Sequence, residues 1–272
     1  MLECVINISE GRDLAVLDEL AAAAGASLRD RHSDAFHHRS VFTMINEPAA
    51  LVRDVHSLIG AAYRCLDLTD HRGVHPRFGV VDVVPFVALD PRSADDALAL
   101  RDQTARWIAD TFAVPVFLYG PLDDGVARTL PEVRRGAFRT LQPDMGPGEP
   151  SPTRGAAAVG ARPILVAWNL WLAHVSLERA RTIAAALRQP AVRTLAFVVG
   201  DEVQVSCNII DTDAVRLSHL YGQVLDMVGD GAIHRCELVG LAPASLLERE
   251  PRERWDELGL SASSTIEARC AA

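Results

Sequence analysis

The chain has no apolar run approaching the roughly 20 residues needed to cross a bilayer. Its longest, residues 80–89 and 163–172, reach about ten, so no membrane span is expected. The N-terminus, MLECVINISEGRD, lacks a basic segment followed by an apolar stretch, which makes the cytoplasm the expected location. Cysteine is scarce: Cys4, Cys65, Cys207, Cys236 and Cys270 are odd in number, scattered and without a CxxC pair. That excludes a disulfide framework or zinc ribbon and leaves buried, reduced thiols. Neither GxxxxGK[ST] nor GxGxxG occurs, so SEGRD after the first strand indicates neither a nucleoside triphosphate nor a dinucleotide. No serine lies in GxSxG and no cysteine in a nucleophile motif, so direct group transfer fits better than a covalent enzyme intermediate. Positive charge is also in deficit: the formal balance of -9 argues against nucleic acid as a partner.

What the chain does have is hydrophobic residues, 49% of 272, enough for one large core or two small ones. LECVINIS alternates as a strand does, and LAVLDELAAAAG has the leucine spacing of a helix closed by Gly25. SLRDRHSD and HRSVFTMIN form two further strands around a polar turn, and Pro48 opens the helix PAALVRDVHSLIGAAYRCL. VVDVVPFVAL is apolar enough for a strand buried on both faces, although Pro85 suggests an edge or a bulge. A helix over 95–112, the strand PVFLYG and a short helix near 131–135 extend this half. From PILVAWNLWL onward the β-α-β-β-α-β order repeats through LERARTIAAALRQ, VRTLAFVVG, VQVSCNIID, AVRLSHLYGQVLDMV and AIHRCELVG. The order implies an α/β (α+β) protein of two related subdomains, 1–160 and 161–272, each with helices on one face of a mixed sheet. The tail SASSTIEARCAA is expected to be partly disordered.

Between the halves, LQPDMGPGEPSPT concentrates Gly, Pro and Ser, which makes 141–153 a linker or a loop over a cleft; composition favours the linker. Residues 29–77 hold the chain's densest cluster of arginine and histidine, suited to steering an anionic small molecule. Arg53, His56 and Arg64, on a helix, read as solvated surface groups. The loop His71-Arg72-Gly73-Val74-His75-Pro76-Arg77 reads as functional, because histidine moves protons near neutral pH and arginine fixes anions. His71 and His75 have the spacing of a helical metal pair, but Gly73 and Pro76 oppose a helix, so no metal is expected. The turn around His32, Asp34, His37 and His38 has three readings: zinc ligands, a carboxylate facing a substrate nitrogen, or, by default, a polar hairpin.

Eight blocks in order, ECVINISEG, HHRSVFT, DHRGVHPRFGVVDVVPF, VPVFLYG, RTLPEVRRGAF, PDMGPGEPSPTRGAAAVGARPILVAWN, EVQVSCNIID and ELVGLAPASLL, resemble the glutamate formiminotransferase family. That family occurs alone or as the N-terminal part of formiminotransferase-cyclodeaminase, and the resemblance runs from Glu3 to about Leu247. It implies two ferredoxin-like βαββαβ subdomains with a folate cleft between them, in a homodimer. It implies transfer of a formimino group between N-formimino-L-glutamate and N5 of tetrahydrofolate, giving glutamate and 5-formiminotetrahydrofolate in histidine degradation.

The resemblance maps the catalytic histidine onto His75. It maps folate contacts onto Gly146, Pro147, Gly148, Glu149, Pro150, Ser151, Pro152, Thr153, Arg154 and Gly155, against the linker preference. It places Asn7, Asp34, Arg39 and Arg77 near the substrate, with Arg39 or Arg77 holding carboxylates. The partners it implies are small molecules: folate, and glutamate or a related amine. His38 stands where the family has Asn before Arg, Phe36 where it has an acidic residue, and Arg154 at a variable Trp or small position. These departures keep a second transferase open, acting with tetrahydrofolate on a different amine. A folate carrier without transfer and a metal-dependent hydrolase using His32, His37, His71 and His75 are the remaining alternatives.

Overall fold

The N-terminal alternation forms strand β1 (Leu2–Ile8). Asp13 then accepts hydrogen bonds from the Ala15 and Val16 amides and opens helix α1 (Leu14–Ala23). Gly25, at φ 58°, turns the chain out of that helix, a conformation that costs glycine little. Strands β2 (Leu28–Asp34) and β3 (Arg39–Asn46) pair as the expected hairpin, and Pro48 occupies the first turn of α2 (Pro48–Cys65). On α2, Leu51, Val55, Leu58 and Ala62 recur at helical spacing and are fully buried. The larger three contribute about 1.5–3 kcal/mol each, so burial against the sheet, more than helix propensity, holds α2 in place.

After β4 (Val81–Ala88) come α3 (Ala94–Phe112), β5 (Val116–Pro121), β6 (Ala127–Arg128), α4 (Leu130–Gly136) and β7 (Ala157–Ala161). The computed structural model describes residues 1–69, 71–123 and 125–271. It divides the chain into two compact units, Met1–Pro163 and Ile164–Ala272.

In the first unit the strands form one mixed sheet in the order β2-β3-β1-β4-β7-β5-β6. Leu2, Cys4, Ile6, Phe42, Met44 and Phe86 face α1, α2 and α3 across the main core. Val83, Phe117, Tyr119 and Ala158 face the other way, packing with Val133 of α4. Residues 141–153 lie inside this unit and lead into β7, so the linker expected from composition is corrected to a loop of the first unit. Strand β4 is not at an edge: it lies between β1 and β7. The strand does carry an irregularity, but at Asp82 and not at Pro85. Asn7 pairs with Val83 and Ile8 with Val81, which leaves Asp82 as the extra residue of a β-bulge.

The second unit runs β8 (Val166–Leu172), α5 (Leu177–Ala186), β9 (Val192–Val199), β10 (Glu202–Ile209), α6 (Leu217–Val228) and β11 (Ile233–Val239). Its sheet order is β11-β8-β10-β9 with every neighbouring pair antiparallel, so the expected mixed sheet holds only for the first unit. Parallel pairing arises where β7 lies between β4 and β5, and among the described residues the second unit has no equivalent of β7. Glu250 caps α6 by accepting from the Leu217 and Ser218 amides. The tail expected to be partly disordered is docked over its described residues 261–271: Ile266 is buried and its amide donates to the Ala242 carbonyl. No helix among the described residues is long and apolar enough to cross a membrane.

Candidate active site

Two histidine-rich segments, far apart in sequence, meet beyond the ends of β1 and β3. The turn 35–38 closes the β2–β3 hairpin, and Asp34 stabilises it by accepting hydrogen bonds from the Phe36 and His37 amides at 2.8 and 2.7 Å. Its carboxylate also lies 3.1 Å from His37 Nδ1. Burial pushes the Asp34 pKa up, but His37 and the two amides outweigh it and hold the group at about 2. Asp34 is therefore engaged in shaping the turn. His38 takes a left-handed conformation, φ 51°, and stacks on His71 with ring centroids 4.0 Å apart.

The loop 71–79 packs directly on that turn. The Val74 amide donates to the Phe36 carbonyl at 3.2 Å, and His71 Nε2 bonds to the His38 carbonyl at 3.0 Å. Gly73 permits this approach, since a Cβ there would stand 2.4 Å from the His37 carbonyl oxygen. A carbonyl only accepts, so His71 carries its proton on Nε2, and among the described residues its buried Nδ1 has no hydrogen-bond partner. Burial, with His38 and Arg77 nearby, lowers the His71 pKa to about 4. Arg77 donates to the His71 carbonyl at 3.1 Å and so buttresses the loop from within. Asp70, the first residue of the resembling block, lies outside the described residues.

His75 is half-buried, its ring 6.0 Å from that of His37. Its Nδ1 lies 2.6 Å from the Pro76 carbonyl. In the neutral ring this carbonyl holds the proton on Nδ1 and makes Nε2 the basic nitrogen. Burial first, then the Arg39 guanidinium, push its pKa down to about 3, with Asp82 opposing. The imidazole is consequently neutral through the physiological range.

Asp82, fully buried, is the hub of the site. The bulge frees it from β1, and its Oδ1 accepts from the Phe78 amide. Its Oδ2 accepts from two guanidiniums, Arg39 of β3 and Arg134 of α4, the latter at 2.6 Å. Burial pushes its pKa up, but the two arginines more than compensate and hold it at about 2. Arg39 Nε also donates to Asn7 Oδ1 at 3.2 Å, while Asn7 Nδ2 donates to the Val5 carbonyl. Arg134 is presented by α4, whose start is fixed by a capping box between Thr129 and Glu132.

Glu10 completes the surroundings: its carboxylate accepts from the amides of Gly11, Arg12 and Asp13 and lies 3.4 Å from His38 Nδ1. The loop 146–155 runs beside the histidine loop. The Leu68 and Val80 amides donate to the carbonyls of Thr153 and Arg154, and the Ala156 amide to that of Phe78. Gly146, Pro147, Gly148, Glu149 and Pro150 are exposed, as are Pro152 and Thr153, whereas Gly155 is buried and Ser151 half-buried. The Arg154 side chain turns away: it donates to the Phe112 carbonyl at 3.1 Å and lies over the Tyr63 and Phe112 rings, 5.8 Å from each centroid.

The structure thus gathers Asn7, Asp34, Arg39, Arg77 and His75 at one end of the sheet, and adds Asp82 and Arg134, which reading the sequence missed. Asp82 had a signal, a lone charge within an apolar strand, which burial makes costly unless paired. Arg134 had none, being one of two adjacent arginines on a short helix. His56, expected on the surface, instead stacks on Trp107 at 3.9 Å, outside this site. Among the described residues no group of three His, Cys, Asp or Glu is placed to hold a metal ion.

Residues 1–162 match the formiminotransferase domain, N-terminal subdomain. The chain is 31% identical over 279 residues to the glutamate formimidoyltransferase of Streptococcus pyogenes serotype M1, covering 91% of this chain and 90% of that protein. It is likewise 31% identical to the glutamate formimidoyltransferase of Thermoplasma acidophilum, covering 91% and 89%. The formimidoyltransferase-cyclodeaminase of Rattus norvegicus is 30% identical over 91% of this chain, which spans about half (51%) of that longer protein.

Proposed function

We propose that this chain, which belongs to the formiminotransferase family, moves a formimino group from N-formimino-L-glutamate to tetrahydrofolate, giving glutamate and 5-formiminotetrahydrofolate. The observation that carries the reading is His75 held neutral beside two arginines, within a chain similar along 91% of its length to glutamate formimidoyltransferases. Tetrahydrofolate supplies a secondary amine, N5, as the accepting nucleophile.

Transfer between two nitrogens requires a proton to leave the attacking one and another to reach the departing one, and a single imidazole can serve both steps. His75 takes the first at Nε2, while the Pro76 carbonyl keeps the Nδ1 proton and the ring orientation fixed. A base with a pKa of about 3 is weak, but the site corrects this on filling. A carboxylate bound against Arg39 cancels the charge that depresses the imidazole, so its basicity rises when substrate is present. Arg39 and Arg77 are the carboxylate-holding residues on this reading, and Asn7 and Asp34 steady Arg39 and the turn.

The folate ring system is assigned to the largely exposed loop from Gly146 to Thr153 and the backbone of Arg154 and Gly155 that follows it. Residue types fit: Gly and Pro expose main-chain groups without bulky side chains, next to the histidine loop. Much of the rate follows from holding the reacting nitrogens and carbon together, which can supply several kcal/mol of the barrier. The βαββαβ order and strand arrangement of each unit support ferredoxin-like subdomains, with the catalytic groups in the first. The sequence resemblance supports a cytoplasmic homodimer. The test is incubation with formiminoglutamate and tetrahydrofolate, identifying products by mass: equimolar glutamate and 5-formiminotetrahydrofolate are expected, and their absence with another formimino acceptor or donor active would replace this reading.

A further inference from the structure

Two guanidiniums, arriving from β3 and α4, donate to the same oxygen of Asp82. Among the described residues each of these guanidiniums has its ion pair with Asp82 alone, so one carboxylate offsets one of the two positive charges and the other is left where charge is costly unless paired. Asp82 is 0% exposed, but the side chains of Arg39 and Arg134 retain 13% and 24% exposure, so both can be reached from outside. Arg134 gives Asp82 only an Nη2 bond. The chain contains no lysine, so each of its permanently cationic side chains is a guanidinium fork, suited to two-point binding of a carboxylate.

We propose that Arg134 is a further substrate-binding residue, which with Arg39 clamps the α-carboxylate of the amino-acid substrate beside His75, and that Asp82 is the positioning residue that sets the two guanidiniums side by side. The proposal rests on the transferase reading above. The carboxylate carbon it assigns is about 2.5 Å from the reacting nitrogen, one Cα away. A group holding it must therefore stand close to the proton-transferring base. Asp82 meets that need, because its other oxygen binds the Phe78 amide, three residues after His75. Both guanidiniums also act electrostatically on the His75 ring. The γ-carboxylate lies two methylenes farther out, and the carboxylates of the folate tail lie at the far end of that molecule from N5.

The test uses N-formyl-L-glutamate, an unreactive mimic with oxygen in place of the imino nitrogen, and its α-carboxamide, with binding measured by calorimetry. Wild type is expected to bind the acid about 10- to 100-fold more tightly than the amide, the range of one charge-assisted interaction. Arg134→Gln should lose that preference, Arg134→Lys should keep part of it, and tetrahydrofolate affinity should stay unchanged in both. Equal preference in wild type and Arg134→Gln overturns the clamp. So does a variant that loses tetrahydrofolate affinity and keeps the acid, since the pair would then serve the folate tail. Should Arg134→Gln fold poorly by its thermal midpoint, Arg134→Lys carries the comparison. Transfer from formiminoglutamate, assayed separately in wild type, decides the underlying reading: no transfer with the acid-over-amide preference intact refutes the reaction and leaves the clamp.

Discussion

Replacing Asp82 by Asn keeps the shape of the hub and removes its charge, so the two guanidiniums face each other unbalanced and the Phe78 amide loses an ionic acceptor. Removing one partner of a buried ion pair typically costs about 3–5 kcal/mol. A second route gives a similar scale. The Asp82 carboxyl is held at about 2 against an ordinary 3.8, which corresponds to about 2–3 kcal/mol of stability at neutral pH. Because the folded-state pKa is the lower one, that stabilisation is complete above pH 4 and fades as pH falls through 2. Urea unfolding of wild type and Asp82→Asn at pH 7 and pH 3 measures both the gap and its narrowing. A gap under about 1 kcal/mol at pH 7, or one that does not shrink on acidification, would refute the hub as the electrostatic centre of the site.

Gly73→Ala places a methyl against the His37 carbonyl and should displace the histidine loop, costing about 1–3 kcal/mol and most of the transfer activity while circular dichroism stays native. Arg154→Ala removes a helix-end hydrogen bond and two ring contacts; it should lower stability by about 1–2 kcal/mol and leave tetrahydrofolate affinity within about threefold, read by titration calorimetry. His75 should titrate by NMR far below 6.5 in the free protein and move upward when N-formyl-L-glutamate binds; a midpoint near 6.5 without ligand contradicts the site electrostatics. His56, His71 and His75 are all held neutral in the fold, whereas the unfolded chain takes up protons near 6.5, so the thermal midpoint should fall as pH drops from 7 toward 4.

Local signals carried most of the element order. Pro48 at a helix start, Gly25 at a helix end and the alternation of β1 are decided by neighbours in sequence, and each element formed where its residues indicated. What stayed hidden depends on distant pairing. Strand β7, five small residues of an Ala-rich stretch, has weak intrinsic strand character and forms between β4 and β5. Pro85 pointed to an edge or a bulge, but β4 is central, Pro85 itself pairs in register with Gly160 of β7, and the bulge falls at Asp82 against β1. Within the site, the histidine loop and Arg39 were visible as residue types in a pattern. Arg134 was not, because its role exists only once α4 is laid beside the bulge. Asp34 was visible as a residue type, but the hydrogen bonds by which it shapes the turn that the loop packs on were not.

The decisive measurement is the rate of 5-formiminotetrahydrofolate formation from formiminoglutamate and tetrahydrofolate by wild type and His75→Ala, followed by absorbance, with folding and tetrahydrofolate affinity of the variant checked in parallel. If His75 moves protons between the two nitrogens, kcat should fall about 10²- to 10⁴-fold with tetrahydrofolate affinity retained. A folded variant that turns over within about tenfold of wild type would mean that another group, or solvent, carries the protons.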